Sequence, residues 1–162
     1  MANYVFLDID GVLNSRQTRA KAPYNCKGIE NKHLRILKAI VEKTNSNIVL
    51  ISDWRLSFLP NDHMPDMADY ITKRLQSVGL SFELVSSNHI YEIRAQEIKN
   101  WIDTHKTEGY IILDDNDNIW YHNNAISPHW IHTDYKKGLT EEHIQEAIVK
   151  MQEPVINIHI EI

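Results

Sequence analysis

Residues 4–13 read Tyr4-Val5-Phe6-Leu7-Asp8-Ile9-Asp10-Gly11-Val12-Leu13, and the change of character at Asp8 decides the fold. Four β-favouring apolar residues in succession suit a strand covered on both faces, the kind found in parallel sheets. Two carboxylates two residues apart then straddle the strand end, and Gly11 lets the chain turn sharply. A single aspartate after a strand is commonly a turn former. The pair acquires chemical meaning only if other strands end in a similar way.

Apolar runs recur at residues 48–52, 82–86, 110–114 and, less regularly, 130–133. Ser52 closes the first of these, and Asp114 with Asp115 follows the third. Amphipathic stretches lie between them. Leu34, Leu37 and Val41 form one helical stripe, and Met67, Ile71, Leu75 and Val78 form another that stops at Gly79. A third helix is expected over residues 93–105 with Ile98, Trp101 and Ile102 inward. A last one is capped by Thr140, carries Glu141 and Glu142 in its first turn, and buries Ile144, Ala147, Ile148 and Met151. The βαβα order predicts an α/β chain, a Rossmann-like three-layer sandwich around a mainly parallel sheet. In such a sheet the carboxyl ends of the strands gather at one crevice, which would bring Asp8, Ser52, Asp114 and Asp115 together.

With 162 residues, 43 % of them hydrophobic, the chain suits one ordinary core, so residues 1–162 are expected to form a single domain. Residues 156–162 place Ile156, Ile158, Ile160 and Ile162 at every second position, the pattern of an edge strand. A net charge of −5 excludes a broad positive field of the sort that holds nucleic acid non-specifically. Cys26 is the only cysteine, which excludes an internal disulfide and fits a reducing compartment. No apolar run approaches the roughly 20 residues of a membrane span, and no basic leader precedes Asp8. A cytoplasmic protein without membrane attachment is expected.

Taken in order, Asp8, Asp10, Gly11 and Leu13, then Ser52, then Arg94, then Asp114-Asp115 resemble the four motifs of the haloacid dehalogenase (HAD) superfamily of phosphatases. The first of those motifs is DxDGxL. Within the superfamily the chain looks most like the HAD domain of Swiss Army Knife RNA repair proteins. That likeness runs through Ile51-Ser52-Asp53-Trp54-Arg55, Arg94 with Glu97, Ile98 and Trp101, and Gly138-Leu139-Thr140. Asp53 stands where the resemblance would place a small hydroxylic residue. The intervals from Asp10 to Ser52 and from Ser52 to Arg94 are each filled by one crossover helix and its loops. A capless HAD-like domain is therefore implied, with an open site that admits a bulky phosphorylated group.

The resemblance implies Asp8 as nucleophile, Asp10 as the acid and then the base, and Ser52 and Arg94 at the phosphoryl oxygens. It implies a metal held by Asp8, Asp114 and the backbone carbonyl of Asp10 and supported by Asp115. Elementary electrostatics gives a separate reason for a cation. Two unit charges about 4 Å apart at an effective dielectric of about 20 interact by about 4 kcal/mol, so carboxylates facing a phosphate dianion need countercharge. Mg²⁺ on oxygen ligands and the Arg94 guanidinium would supply it.

Other residues leave two readings open. Gly11 and Arg55 are candidates for contact with substrate, while Arg55 could equally form a surface ion pair. Asp117 either supports the metal or shapes a turn. Arg16 and Arg19, with Lys21 and Lys27, lie in a stretch from Gly11 to Ile29 that has no acidic residue. They either guide a phosphate backbone, with Tyr24 stacking on a base, or form a solvated loop. His122, His129 and His132 lack metal-ligand spacing and are expected at the surface or in packing. Trp54, Trp101, Trp120 and Trp130 are expected in the core.

The expected activity is Mg²⁺-dependent hydrolysis of a phosphomonoester through an aspartyl-phosphate. The substrate is a nucleic-acid end, such as a 3′-phosphate of RNA or DNA, or a nucleotide. A small-metabolite phosphatase and a non-catalytic phosphate-binding module of the same fold are the alternatives.

Overall fold

In the computed structural model, which describes residues 1–86 and 93–160, the first apolar run becomes β1 (Ala2–Leu7), the central strand of five. β2 (Ser46–Leu50) and β4 (Thr107–Asp114) flank it. β3 (Phe82–Leu84) and β5 (Trp130–His132) form the edges, in the order β3-β2-β1-β4-β5. Every pairing is parallel. Leu7 lies opposite both Leu50 and Leu113, so three strands end level with one another. The residues just beyond that level, Asp8, Ile51-Ser52 and Asp114, therefore emerge along one edge of the sheet.

Side chains alternate across a strand, and β1 shows what each face receives. Val5 and Leu7 pack with α1 (Asn31–Thr44), α2 (Pro65–Gln76) and α4 (Glu142–Lys150). Tyr4 and Phe6 pack instead with α3 (Arg94–Thr104) and an irregular segment carrying Tyr121, Ala125 and Ile126. The sheet is thus the middle of three layers. Each fully buried aliphatic side chain, such as Leu34, Leu37 or Ile40 of α1, contributes about 1.5–3 kcal/mol.

α2 ends as its sequence predicts: Gly79 takes φ +76° and the Leu80 N–H reaches back to the Leu75 carbonyl at 3.0 Å. α4 departs from expectation at its start. The Thr140 side chain does not cap it. Instead the Thr140 N–H donates to His143 Nδ1 at 2.9 Å, and the helix begins at Glu142. Of the expected inward residues Ala147 and Met151 are buried, while Ile144 and Ile148 are half-buried.

The tail is the larger correction. Residues 156–160 form no strand. Ile158 is buried against the α3 face and the His159 carbonyl accepts from Asn123 Nδ2 at 2.8 Å, so the tail is tied down by a side chain and one anchoring isoleucine, without a ladder. Residues 161 and 162 of that stretch lie outside the described residues. No helix among the described residues is long and apolar enough to cross a membrane.

His33 of α1 gives the fold a pH dependence. Its Nδ1 donates to the Leu139 carbonyl at 2.9 Å, while its buried Nε2 has no partner. Burial holds the imidazole below its ordinary value of 6.5. The unfolded chain therefore takes up this proton first, and the folded state loses stability as pH falls below about 6.5, by up to about 1.4 kcal/mol per pH unit. Asp8 and Asp115, raised by burial, act with the opposite sign, so the contribution of His33 must be read by difference. Between about pH 7.5 and pH 5.5 the urea midpoint of the wild-type chain is expected to fall relative to that of His33→Gln. Parallel changes in the two proteins would refute the assignment.

Candidate active site at the carboxyl ends of the strands

Beyond β1 the Asp8 N–H still donates to the Leu113 carbonyl at 3.0 Å, after which the Ile9 carbonyl accepts from both Val12 and Leu13 and the chain curls into a turn. Gly11 sits in that turn at φ +77°, and a Cβ there would overlap the carboxylate of Asp115. Glycine is thus required twice, by its backbone angle and by the close approach of the loops after β1 and β4.

Asp10 is clamped by donors from two loops. Asn14 Nδ2 donates to Oδ1 at 2.9 Å while its own Oδ1 accepts the Gly11 N–H, and Trp54 Nε1 donates to Asp10 Oδ2 at 3.1 Å.

The carboxylates of Asp8, Asp114 and Asp115 each offer an oxygen within 4.8 Å of the others. Asp114 is fully buried, and its orientation is over-determined. Oδ2 accepts from Arg94 Nη1 and from the Tyr121 hydroxyl, both at 2.8 Å, and Oδ1 accepts the Asn116 N–H at 2.9 Å. Burial and the neighbouring Asp114 charge push the Tyr121 phenol well up, so it keeps the proton it donates. Arg94 Nη1 stands 3.7 Å from Asp8 Oδ2, and Nη2 lies 3.6 Å from Asp53 Oδ1.

One guanidinium does not balance this group. Burial raises Asp8 well above the ordinary carboxylate range, and the Asp114 charge adds to it while Arg94 opposes it; burial and Asp114 raise Asp115 likewise. Three converging carboxylates with a deficit of positive charge, offering only hard oxygen donors, fit a divalent cation such as Mg²⁺.

Asp8, Asp10, Ser52, Asp53, Trp54, Arg94, Asp115, Asn116 and Asp117 line one open cleft of about 410 Å³, with Asp114 buried beneath it. Ser52 begins a 3₁₀ turn over Asp53–Phe58, and its Oγ accepts the Trp54 N–H at 3.2 Å, which leaves its own proton for another acceptor. Of the expected site residues the structure therefore brings Asp8, Asp10, Ser52, Arg94, Asp114 and Asp115 together, with Gly11 packed on Asp115.

Three others lie elsewhere. Arg55 is buried at 5 % exposure. Its Nη2 makes a bidentate pair with Glu97 of α3 at 2.8 and 2.9 Å, and its Nη1 donates to the Ile51 and Ser52 carbonyls at 3.3 Å. That placement braces the Ser52 loop and turns the guanidinium away from substrate, because buried carboxylate and carbonyls satisfy it better than solvent-side groups could. Arg16 and Arg19 are exposed and do not line the cleft; Arg19 borders a separate hollow with Gln17, Glu30 and Arg74. Lys27 is held by the Ser15 and Arg16 carbonyls and the Tyr135 hydroxyl.

Asp117 lines the cleft and pairs with His122 Nε2 at 2.6 Å, which lowers its carboxyl. His129 is a packing residue, fully buried and stacked on Tyr110 with ring centroids 3.8 Å apart. Trp101 and Trp130 are in the core as expected, but Trp54 is half-buried and faces Asp10. Tyr121, Asn14 and Glu97 carry no signal of their roles in the sequence. Each acts on a partner distant in the chain or on an irregular turn, where periodicity is silent.

A parallel sheet with its central strand followed by DxD, and an acidic pair at the end of the neighbouring strand beside a basic residue that opens the preceding helix, is the arrangement of a HAD-type hydrolase. Residues 4–144 match the family model described as the HAD domain in Swiss Army Knife RNA repair proteins, and the chain belongs to that family. No curated protein and no solved structure matches it.

Proposed function

We propose that the chain is a Mg²⁺-dependent phosphomonoester hydrolase that acts through an aspartyl-phosphate at Asp8, on the phosphorylated end of a nucleic acid. The observation that carries the reading is the meeting of Asp8, Asp114 and Asp115 within 4.8 Å, with Arg94 in reach of Asp8 and Asp114. Asp8, Asp114 and Asp115 would hold Mg²⁺, which supplies countercharge for the phosphate oxygens and keeps Asp8 ionised.

The chain's own groups account for the proton and bond changes. An Asp8 oxygen attacks phosphorus while the bond to the leaving oxygen breaks, and Asp10 gives that oxygen its proton. Asp10 then takes a proton from water, whose oxygen displaces Asp8 and releases inorganic phosphate. The clamp by Asn14 and Trp54 holds the Asp10 carboxylate at the cleft wall throughout. Arg94 and the Ser52 hydroxyl bind the phosphoryl oxygens as charge builds on them.

Two features favour a large substrate. The cleft is open, and among the described residues no separate folded unit is inserted between β1 and α1, where residues 8–30 form loops, one 3₁₀ turn and a lone bridge between Lys21 and Lys27. The family to which the chain belongs is named for RNA repair proteins. The test is kcat/KM for 3′- and 5′-phosphorylated RNA and DNA oligonucleotides, mononucleotides and sugar phosphates, with and without Mg²⁺. The highest value is expected for an oligonucleotide end, and only with the metal. A preference for sugar phosphates would favour the metabolite reading, and no turnover of any ester would favour a binding module.

Asp53 gives a second prediction. Its exposed carboxylate competes with substrate for Arg94 Nη2, so Asp53→Ser is expected to lower KM about twofold to fivefold, the scale of an exposed charge pair, with little change in kcat. A raised KM would show that Asp53 helps to bind substrate.

A further inference from the structure

Trp54 separates the carboxylate cleft from a second hollow of about 560 Å³, lined by Cys26, Asp53, Trp54, Leu56, Ser57, Asn61, Asp62, His63, Met64 and Met67. Asp53 and Trp54 line both spaces, so the two adjoin at the indole. The second differs in character. Trp54, Leu56, Met64 and Met67 supply apolar and polarizable surface, Met64 is 38 % exposed, and Asn61 and His63 add polar groups. Its size lies within the roughly 300–1,000 Å³ typical of small-ligand sites.

We infer that this hollow seats the nucleobase of the nucleotide whose phosphate lies at Asp8, with Trp54 as the wall between base and phosphate; the inference rests on the nucleic-acid reading of the cleft. Charge decides between base and backbone as the occupant. Among the described residues no lysine or arginine lines the hollow, and the Asp53 carboxylate at its edge already lies 3.6 Å from Arg94 Nη2 and 3.7 Å from Arg55 Nη1, so a neighbouring phosphodiester would find no guanidinium or ammonium partner there. A neutral flat ring meets an indole, thioethers and a few polar groups. Such a surface stacks on any base, because every base has a π-face. The subsite therefore selects for the presence of a base and only weakly for its identity.

His63 Nδ1 lies 3.1 Å from the Ser57 carbonyl, and Ser57 Oγ donates to the Trp54 carbonyl at 2.7 Å. The loop that forms the hollow is thus tied back to the residue it shares with the cleft.

The test pairs substrates with proteins. A 3′-phosphorylated oligonucleotide with an ordinary terminal nucleotide is compared with one whose terminal nucleotide is abasic, alongside phenyl phosphate. With the wild-type chain, loss of the base is expected to lower kcat/KM by about 5-fold to 150-fold, the span measured for one stacked base. In Met64→Glu, where a charge enters the hollow from an exposed position, the same loss is expected to cost less than about 2-fold, because the base no longer gains from the site.

Equal kcat/KM for the two oligonucleotides with the wild-type chain would overturn the base subsite and leave the polynucleotide reading intact. Turnover of phenyl phosphate with neither oligonucleotide accepted would overturn the polynucleotide reading, and the subsite with it. The first comparison needs only the wild-type chain, so misfolding of the variant would not obscure it.

Discussion

Asp8→Asn is expected to abolish phosphate-ester turnover, by roughly 10⁴-fold or more, while the protein melts at a higher temperature than the wild-type chain in the presence of chelator. The first effect arises because an amide is not a nucleophile toward phosphorus, and the loss of a group that forms a covalent intermediate is not recovered from its neighbours. The second arises from the electrostatics of the cluster. Burial and the Asp114 charge raise the Asp8 carboxyl, so its ionised form is held there at a cost. A neutral isostere relieves that cost and leaves Asp114 still paired with Arg94 and Tyr121.

Relief of about 1 kcal/mol corresponds to about 2–4 °C in a chain of this length. Mg²⁺ is also expected to raise the melting temperature of the wild-type chain more than that of the variant, since one ligand is gone. Turnover retained in Asp8→Asn would refute the nucleophile assignment. A large drop in its melting temperature would refute the picture of a charge-strained cluster.

Glu97→Ala is expected to have the largest effect on stability. It leaves the Arg55 guanidinium, only 5 % exposed, without its bidentate carboxylate and with only the exposed Asp53 carboxylate 3.7 Å from Nη1, and a buried charge that loses its close partner costs about 3–5 kcal/mol. The melting temperature should fall by about 10 °C or somewhat more. Replacing both partners, as Arg55→Met with Glu97→Leu, removes the charge as well as the pair and is expected to recover most of that loss.

Activity should not recover with it. Arg55 Nη1 also donates to the Ile51 and Ser52 carbonyls, and Glu97 lies on the helix whose first residue is Arg94. The ion pair therefore fixes the Ser52 loop against the helix that carries Arg94. Arg55 and Glu97 are positioning residues, and the double variant should stay about tenfold down in kcat/KM, because small misplacements of binding groups are costly. Recovery of both properties would show the pair to be purely structural. A single variant melting within a degree or two of the wild-type chain would refute its energetic weight.

How much of this was legible in the chain depended on whether a residue belonged to a repeating pattern. The strand runs and helical stripes place β1, β2, β4 and the four helices because burial imposes periods that neighbouring residues share. The ends of those runs then place Asp8, Ser52 and Asp114 at one crevice. Tyr121 lies in a short 3₁₀ turn without periodicity, so nothing in its neighbourhood announces that its hydroxyl reaches Asp114. Glu97 stands in a recognisable segment, yet its pairing with Arg55 is a contact between elements, invisible until α3 is laid on the sheet. Trp54 counts as a core residue by type, and only its Nε1 bond to Asp10 reveals a second role. The tail misleads for the converse reason. Alternation at residues 156–160 satisfies the strand pattern, but a strand also needs a partner with free ladder groups, and a single buried isoleucine together with one side-chain hydrogen bond replaces it.

The central position of β1 also bears on how the molecule comes into being. Of the five strands β1 is made first, yet it is flanked by β2 and β4, and β4 is completed only at Asp114. Until that point Val5, Phe6 and Leu7 lack one of their neighbours, and the nascent chain presents an open apolar ribbon of the kind that invites mispairing. Because the acidic residues that repel one another come from those two strands, their repulsion is imposed only as the sheet closes. A ribosome stalled before β4 emerges therefore holds a chain that is sticky and inert at once.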